Sequence, residues 1–235
     1  MRKLIVVTGG TKGIGRAIIE EFAHHGFDVA TCARKKDELD QMSAALKKSF
    51  PDCWVLTSVA DMSKKNEVLR FTQEVLASGR KVDALVNNAG YFVPGEIATE
   101  PEGTLESMMN ANLFSAYYAT RGLVQSMKEH KTGHIINICS IASIKAYANG
   151  GSYAITKFAM LGMTKCLREE LKPFGIRVTA VMPGATKTAS WAGVDLPDER
   201  FMTAEDVATL VYTTHSISSS SVVEEIIIRP QLGDI

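Results

Sequence analysis

No stretch of this 235-residue chain approaches the roughly 20 consecutive apolar residues that a membrane-spanning helix requires. The apolar run near the start, Leu4 to Val7, is also too short for the core of a secretory signal and soon meets two glycines. Neither sign of charge is in excess. Twenty-six Lys and Arg stand against 26 Asp and Glu, so bulk charge offers no footprint for nucleic acid or a membrane surface. Cysteine is scarce: Cys32, Cys53, Cys139 and Cys166 have neither paired spacing nor a neighbouring histidine cluster. A disulfide framework and a metal site are therefore not expected. These absences point to a soluble cytoplasmic protein with reduced thiols and a small-molecule ligand.

What is present is alternation. Short runs of β character (KLIVVT, FDVATCA, CWVLTSV, DALVN, HIINICS, IRVTAVM and VVEEIIIR) are separated by helical patterns over 13–25, 36–49, 63–78, 102–130, 152–173 and 203–213. Seven apolar strands alternating with helices imply a seven-stranded parallel sheet covered on both faces. The expected fold is a Rossmann-like, doubly wound α/β fold in a single domain spanning 1–235. Irregular segments at 90–101 and 184–202 each follow a strand, where ligands bind in such sheets. The second is the expected substrate loop.

The first strand runs into TGGTKGIG at 8–15 and then into a helix. Glycines at 9, 13 and 15 let the backbone turn tightly and approach a pyrophosphate, which helix N-terminal amides would hold. An NAD site usually ends its second strand with an acidic residue that grips the ribose 2′-hydroxyl; here that strand ends Cys32-Ala33-Arg34. Arg34, with Lys12 from the glycine turn, suits a 2′-phosphate, so the expected cofactor is NADP(H).

Taken in order, T8GGTKGIG15, Asp61, N87NAG90, Asn112, Ser140, Y153AITK157 and P183GATKT188 resemble the short-chain dehydrogenase/reductase family. The resemblance implies that Gly9, Thr11, Lys12, Gly13, Ile14 and Gly15 bind the cofactor together with Arg34. Asp61 would hydrogen-bond the adenine amino group, Met62 would also bind the cofactor, and Asn87, Asn88, Ala89 and Gly90 would brace the site. Thr188 would contact the nicotinamide carboxamide, Lys157 would hold the nicotinamide ribose, and Pro183, Gly184 and Tyr153 would also bind the cofactor. Asn112 would support a water connecting Lys157 to solvent.

The central pair can also be read from the residues up. Tyr153 and Lys157 lie four apart on a helical pattern and so share a face. An ammonium about 5 Å from a phenol, at an effective dielectric near 20, favours the phenolate by roughly 3 kcal/mol, lowering the phenol's pKa by about two. Such a tyrosine would serve as general acid and base towards a carbonyl oxygen, with Ser140 holding that oxygen beside it. The expected activity is NADPH-dependent reduction of a ketone or aldehyde. Reduction of a 3-oxoacyl group on a carrier protein is the alternative enzyme, and a non-catalytic NADP(H) sensor the alternative class.

Substrate choice is written less clearly. Phe92, Ala142, Ile144, Tyr147 and Trp191 are the expected pocket walls. The tail SSSSVVEEIIIRPQLGDI lacks the T-G-x-x-hydrophobic-x-x-D-G-G type ending of the 3-oxoacyl reductases and resembles the sepiapterin-reductase-like branch. Beyond the Tyr153 face, Ile155, Ala159, Met163 and Cys166 form an apolar row, and the preceding helix carries Leu113, Phe114, Tyr117, Tyr118 and Leu123. Helices apolar on two sides are buried on two sides, so a homodimer or homotetramer is expected.

Overall fold

The computed structural model describes residues 2–235 except 189, 190, 192 and 194; those four positions of the expected substrate loop lie outside the described residues. Seven strands, β1 (Leu4–Thr8), β2 (Asp28–Ala33), β3 (Val55–Val59), β4 (Val82–Asn87), β5 (Gly133–Ile138), β6 (Ile176–Pro183) and β7 (Glu225–Ile228), form one sheet in the order β3-β2-β1-β4-β5-β6-β7. Every pairing is parallel. The chain winds outward from β1 to β3 and then returns to lay β4 on β1's other side. That reversal opens a crevice beyond the carboxyl ends of β1 and β4.

Helices α1 (Gly13–His24), α2 (Lys36–Ser49) and α7 (Ala204–Ser216) cover one face, where Ile18, Phe22, Leu39, Met42 and Val211 pack on Ile5, Val7 and Val86. Helices α3 (Lys65–Ala77), α5 (Ser115–His130) and α6 (Gly151–Leu171) cover the other, where Val68, Phe71, Leu123 and Leu171 meet Leu4, Val6, Leu85 and Ile135. Strands β1 and β5 are buried from end to end and β6 everywhere but at Arg177, as their apolar runs require. The edge strand β7 is shorter than the sequence pattern suggests; it turns Ile226 and Ile228 to the core and leaves Ile227, on its other face, half exposed.

One expectation needs correction. The pattern over 102–130 reads as a single helix, but α4 (Thr104–Met109) passes into a π-helical turn at Asn110–Phe114 before α5 begins. The extra residue leaves Asn112 fully buried and turned towards neighbouring segments. Between β4, β5, α5 and α6, Asn87 Nδ2 donates to Asn137 Oδ1 (2.8 Å) and Thr120 Oγ1 (3.0 Å), and Asn137 Nδ2 donates to Thr164 Oγ1 (2.8 Å). This buried amide chain fixes the two strands whose ends carry the site.

Candidate active site

Helix α1 starts at Gly13 with no side chain capping its amides and no acidic residue in its first turn. Its first-turn amides, which no side chain at the N-cap accepts from, and the positive end of the helix suit an anion. Gly9 and Gly13 adopt φ of +70° and +53°. A Cβ on Gly15 would stand 2.4 Å from Asn88 Nδ2 and 2.5 Å from Gly9 O, so only glycine permits this approach. Asn88 Nδ2 donates to Thr8 O and Gly9 O, both at 3.0 Å, while Thr8 Oγ1 accepts from Asn88 N and Ala89 N. The N-N-A-G segment thus braces the glycine turn. Thr8 is the partner that the sequence reading missed.

The other expected cofactor residues surround this turn. Thr188 lies against Gly13, whose Cβ would approach it to 3.1 Å. Pro183 ends β6, and the Gly184 amide donates to Ile228 O at 2.8 Å, holding the following loop to the sheet. Asp61 accepts from the amide and hydroxyl of Ser63 at 3.0 and 2.8 Å. Burial raises its pKa, but these two bonds and the charges of Lys64 and Arg34 outweigh it and hold the carboxyl below its usual range. Met62 is buried against Cys32. Lys12, Arg34 and Gly90 are exposed, and Ile14 half-buried, at the crevice mouth.

Ser140 stands two residues beyond the end of β5, as the cap of a 3-10 turn over Ile141–Ser143, rather than within the strand. Its hydroxyl accepts from Ala142 N at 3.1 Å and stands near enough to the Tyr153 phenol to favour its ionised form. Lys157 Nζ lies 5.7 Å from the centre of the Tyr153 ring and donates to Ile138 O at 2.9 Å. Ser140, Tyr153 and Lys157 therefore meet at the end of β5.

The expected electrostatics are reversed here. Burial pushes the Tyr153 phenol above its ordinary value, the neighbouring Ser140 hydroxyl opposes this only in part, and Cys139 adds to the rise. Burial also holds the Lys157 ammonium below its ordinary value. Desolvation is the largest influence on each of the two groups, and it disfavours the charged form of both. Tyr153 is consequently a protonated phenol near neutral pH.

Asn112 Nδ2 donates to Tyr91 O (3.0 Å) and Thr156 Oγ1 (3.1 Å), and its Oδ1 accepts from Tyr91 N (2.8 Å). Its side chain ties the loop after β4 to α6, and Thr156 is a second partner that spacing did not reveal. Of the expected pocket walls, Phe92 packs edge-on against Tyr153 with centroids 4.9 Å apart. Tyr147 is partly exposed beside it, with its phenol pushed up to about 12 by burial and then by Tyr153. Ile144 is exposed, and Trp191 packs on Phe201 at 5.3 Å. Ala142 is a correction: it is fully buried, and its amide, not its methyl, serves the site by holding Ser140.

Known proteins resemble this chain in sequence and in fold. Residues 3–198 match the family described as short chain dehydrogenase. The chain is 34% identical to the sepiapterin reductase of Chlorobaculum tepidum, over all of this chain and 99% of that protein. It superposes on an alcohol dehydrogenase from Thermococcus sibiricus complexed with 5-hydroxy-NADP at a TM-score of 0.92, with 26% identity over 98% of this chain and 97% of that one. L-Sorbose reductase from Gluconobacter frateurii, complexed with NADPH and L-sorbose, gives a TM-score of 0.89, with 27% identity over 97% of this chain and 95% of that one. On sequence and structure together, the chain belongs to the short-chain dehydrogenase family of oxidoreductases.

Proposed function

We propose that this protein is an NADP(H)-dependent reductase that converts a ketone or aldehyde to an alcohol, with Tyr153 as the proton donor. The observation that carries the proposal is the meeting of Ser140, Tyr153 and Lys157 at one strand end, beside an uncapped helix and its glycine turn. NADPH would supply a hydride when bound. Gly9 to Gly15 would hold its pyrophosphate, and Lys12 and Arg34 its 2′-phosphate. Lys157 would meet the ribose of its nicotinamide end, and Thr188 the nicotinamide itself.

Within the chain's own machinery, the Ser140 hydroxyl fixes the carbonyl oxygen and the Tyr153 hydroxyl gives it a proton. A phenol held protonated by burial is matched to that direction. Asn112 keeps α6 and the loop after β4 in register, so that Phe92 and Tyr153 close on the same oxygen. Phe92, Ile144, Tyr147 and Trp191, with the loop 184–202, would form a mostly apolar entrance suited to a neutral or aromatic carbonyl compound.

Two assembly properties belong to the same reading. Phe114, Tyr117, Ile155 and Phe158 are each 39–47% exposed on the outer side of the α5 and α6 layer, which supports a homodimer or homotetramer through these helices. All four cysteines are free thiols, consistent with a cytoplasmic setting. The direct test is NADPH consumption against pterins, diketones, acetoacetyl thioesters, ketoses and steroids. A carbonyl substrate whose turnover disappears in Tyr153→Phe supports the proposal; turnover retained in that variant refutes the assigned donor.

A further inference from the structure

A carboxylate already stands where a 2′-phosphate is expected. Glu38, in the first turn of α2, has a side chain only 20% exposed. Its Oε1 lies 2.9 Å from Lys12 Nζ and 3.2 Å from Lys35 Nζ, and its Oε2 accepts from Thr11 Oγ1 at 3.3 Å. Thr11 and Lys12 belong to the β1–α1 turn and Lys35 to the β2–α2 turn, the two turns that flank the adenosine ribose in a dinucleotide fold. The hydrogen bond from Lys12, above all, holds the Glu38 carboxyl below its usual range, so it is ionised throughout the neutral region. No acidic residue ends β2, yet the fold brings one to the same place from the next helix.

On the NADP(H) reading above, we propose that Glu38 is a specificity-determining residue, an internal counter-anion that the 2′-phosphate must displace from Lys12 and Lys35. Glu38 thereby weakens NADPH binding and narrows its advantage over NADH. Exposed ammonium–carboxylate pairs are individually weak, so a dianion can exchange for this one without disrupting the fold. The exchange still carries two costs for NADPH, the broken pairs and the repulsion between Glu38 and the phosphate. NADH bears neither, and its ribose hydroxyl can donate to the carboxylate instead. A purely structural role is the competing explanation, since an acid in the first turn also stabilises α2 through the helix dipole. That role changes the melting temperature but does not distinguish the two cofactors.

The test is calorimetric titration of NADPH and NADH into the unmodified chain and Glu38→Gln, at low and physiological ionic strength, with melting curves confirming that both are folded. The amide keeps the shape and the acceptor for Thr11 while removing the charge. The NADPH dissociation constant is expected to fall roughly 3- to 10-fold at low salt, less at higher salt, with that of NADH unchanged or raised. An NADPH constant that is unchanged or raised, or an equal gain for both cofactors, overturns the inference. Arg34→Ala, titrated alongside, separates this from failure of the underlying reading. If that variant loses NADPH selectively while Glu38→Gln gains nothing, Glu38 alone is misassigned; if it leaves the NADPH to NADH ratio unaltered, the cofactor assignment falls and the inference with it.

Discussion

Glu100 reaches from the loop after β4 to Ser152 at the start of α6, where its carboxylate accepts the Ser152 hydroxyl and stands 3.5 Å from the Ser152 amide. The helix that carries Tyr153 begins Gly150-Gly151, which offers no side-chain cap, so the cap comes from a residue 52 positions earlier. Gly95 and Gly150 pair as a bridge beside it. Glu100→Ala should cost about 1 to 2 kcal/mol of stability, the usual value of a lost helix cap. It should also lower kcat more than it weakens NADPH binding, because Tyr153 lies one residue beyond Ser152 while the glycine turn is untouched. Glu100→Gln, which retains an acceptor, should recover most of both. Thermal melting and steady-state kinetics on the three proteins check this; equal losses in the two variants would show that charge, not capping geometry, is what matters.

The raised phenol pKa predicts opposite pH behaviour for the two reaction directions. Carbonyl reduction needs the protonated phenol, so its kcat/KM should stay flat from roughly pH 6 to 9 and decline only in the alkaline range. Alcohol oxidation needs the phenolate and should rise through the same interval. A reduction profile that falls with a midpoint near 7 would mean that Lys157 does lower the phenol. Tyr153→Phe should lose about 100-fold or more of turnover in both directions, with NADPH binding intact by calorimetry.

At the opposite end of the sheet, His134 and His215 stack with centroids 5.6 Å apart, and His134 Nε2 lies 2.7 Å from Thr179 Oγ1. Burial holds both imidazoles below their ordinary value, that of His215 at about 4, and the charge of Arg177 adds to the effect on each. The folded-state values are depressed, so the unfolded chain binds protons first as pH falls. The stability from neutral histidine is complete above about pH 6.5 and is lost as pH descends from there towards 4. At pH 5, His215 alone should account for roughly 2 kcal/mol. Urea unfolding between pH 7 and 5 measures the slope, and His215→Phe, which keeps the ring contacts with Phe22 and Phe27, should flatten it. An unchanged slope would place the acid sensitivity elsewhere.

Phe158 is 47% exposed on α6. If α5 and α6 form the interface between subunits, Phe158→Glu should yield a monomer by light scattering at micromolar concentration, without changing the melting temperature of the monomeric fold. The unmodified chain should be larger. A monomer in both samples would contradict assembly through this face.

Much of this was legible from local chemistry. The seven parallel strands follow from continuous apolar runs alternating with helical patterns, and the glycine turn from three glycines set between the first strand and the first helix. The triad of Ser140, Tyr153 and Lys157 was legible from spacing, because one strand end and one helix face bring the groups together. What spacing could not supply were partners distant in sequence: Thr8 with Asn88, Asn112 with Thr156, Glu38 with Lys12, and Glu100 with Ser152. The missing cap at Gly150-Gly151 was a signal that some distant acceptor was required, without saying which. The sign of the Tyr153 shift was misjudged for a related reason. A pairwise attraction can be estimated from two residues, but the burial that overcame it depends on every element packed around them.

The π-helical turn at Asn110–Phe114 has a consequence for insertions and deletions. An α-helix advances 100° per residue, so one additional residue shifts the angular phase of everything after it. That offset lets α4 direct its apolar face at α6 while α5 directs its own at α3 and β4. Removing any single residue from 110–114 would restore a regular helix and rotate these two faces out of alignment. The segment therefore tolerates substitution at its exposed positions far better than a change in length.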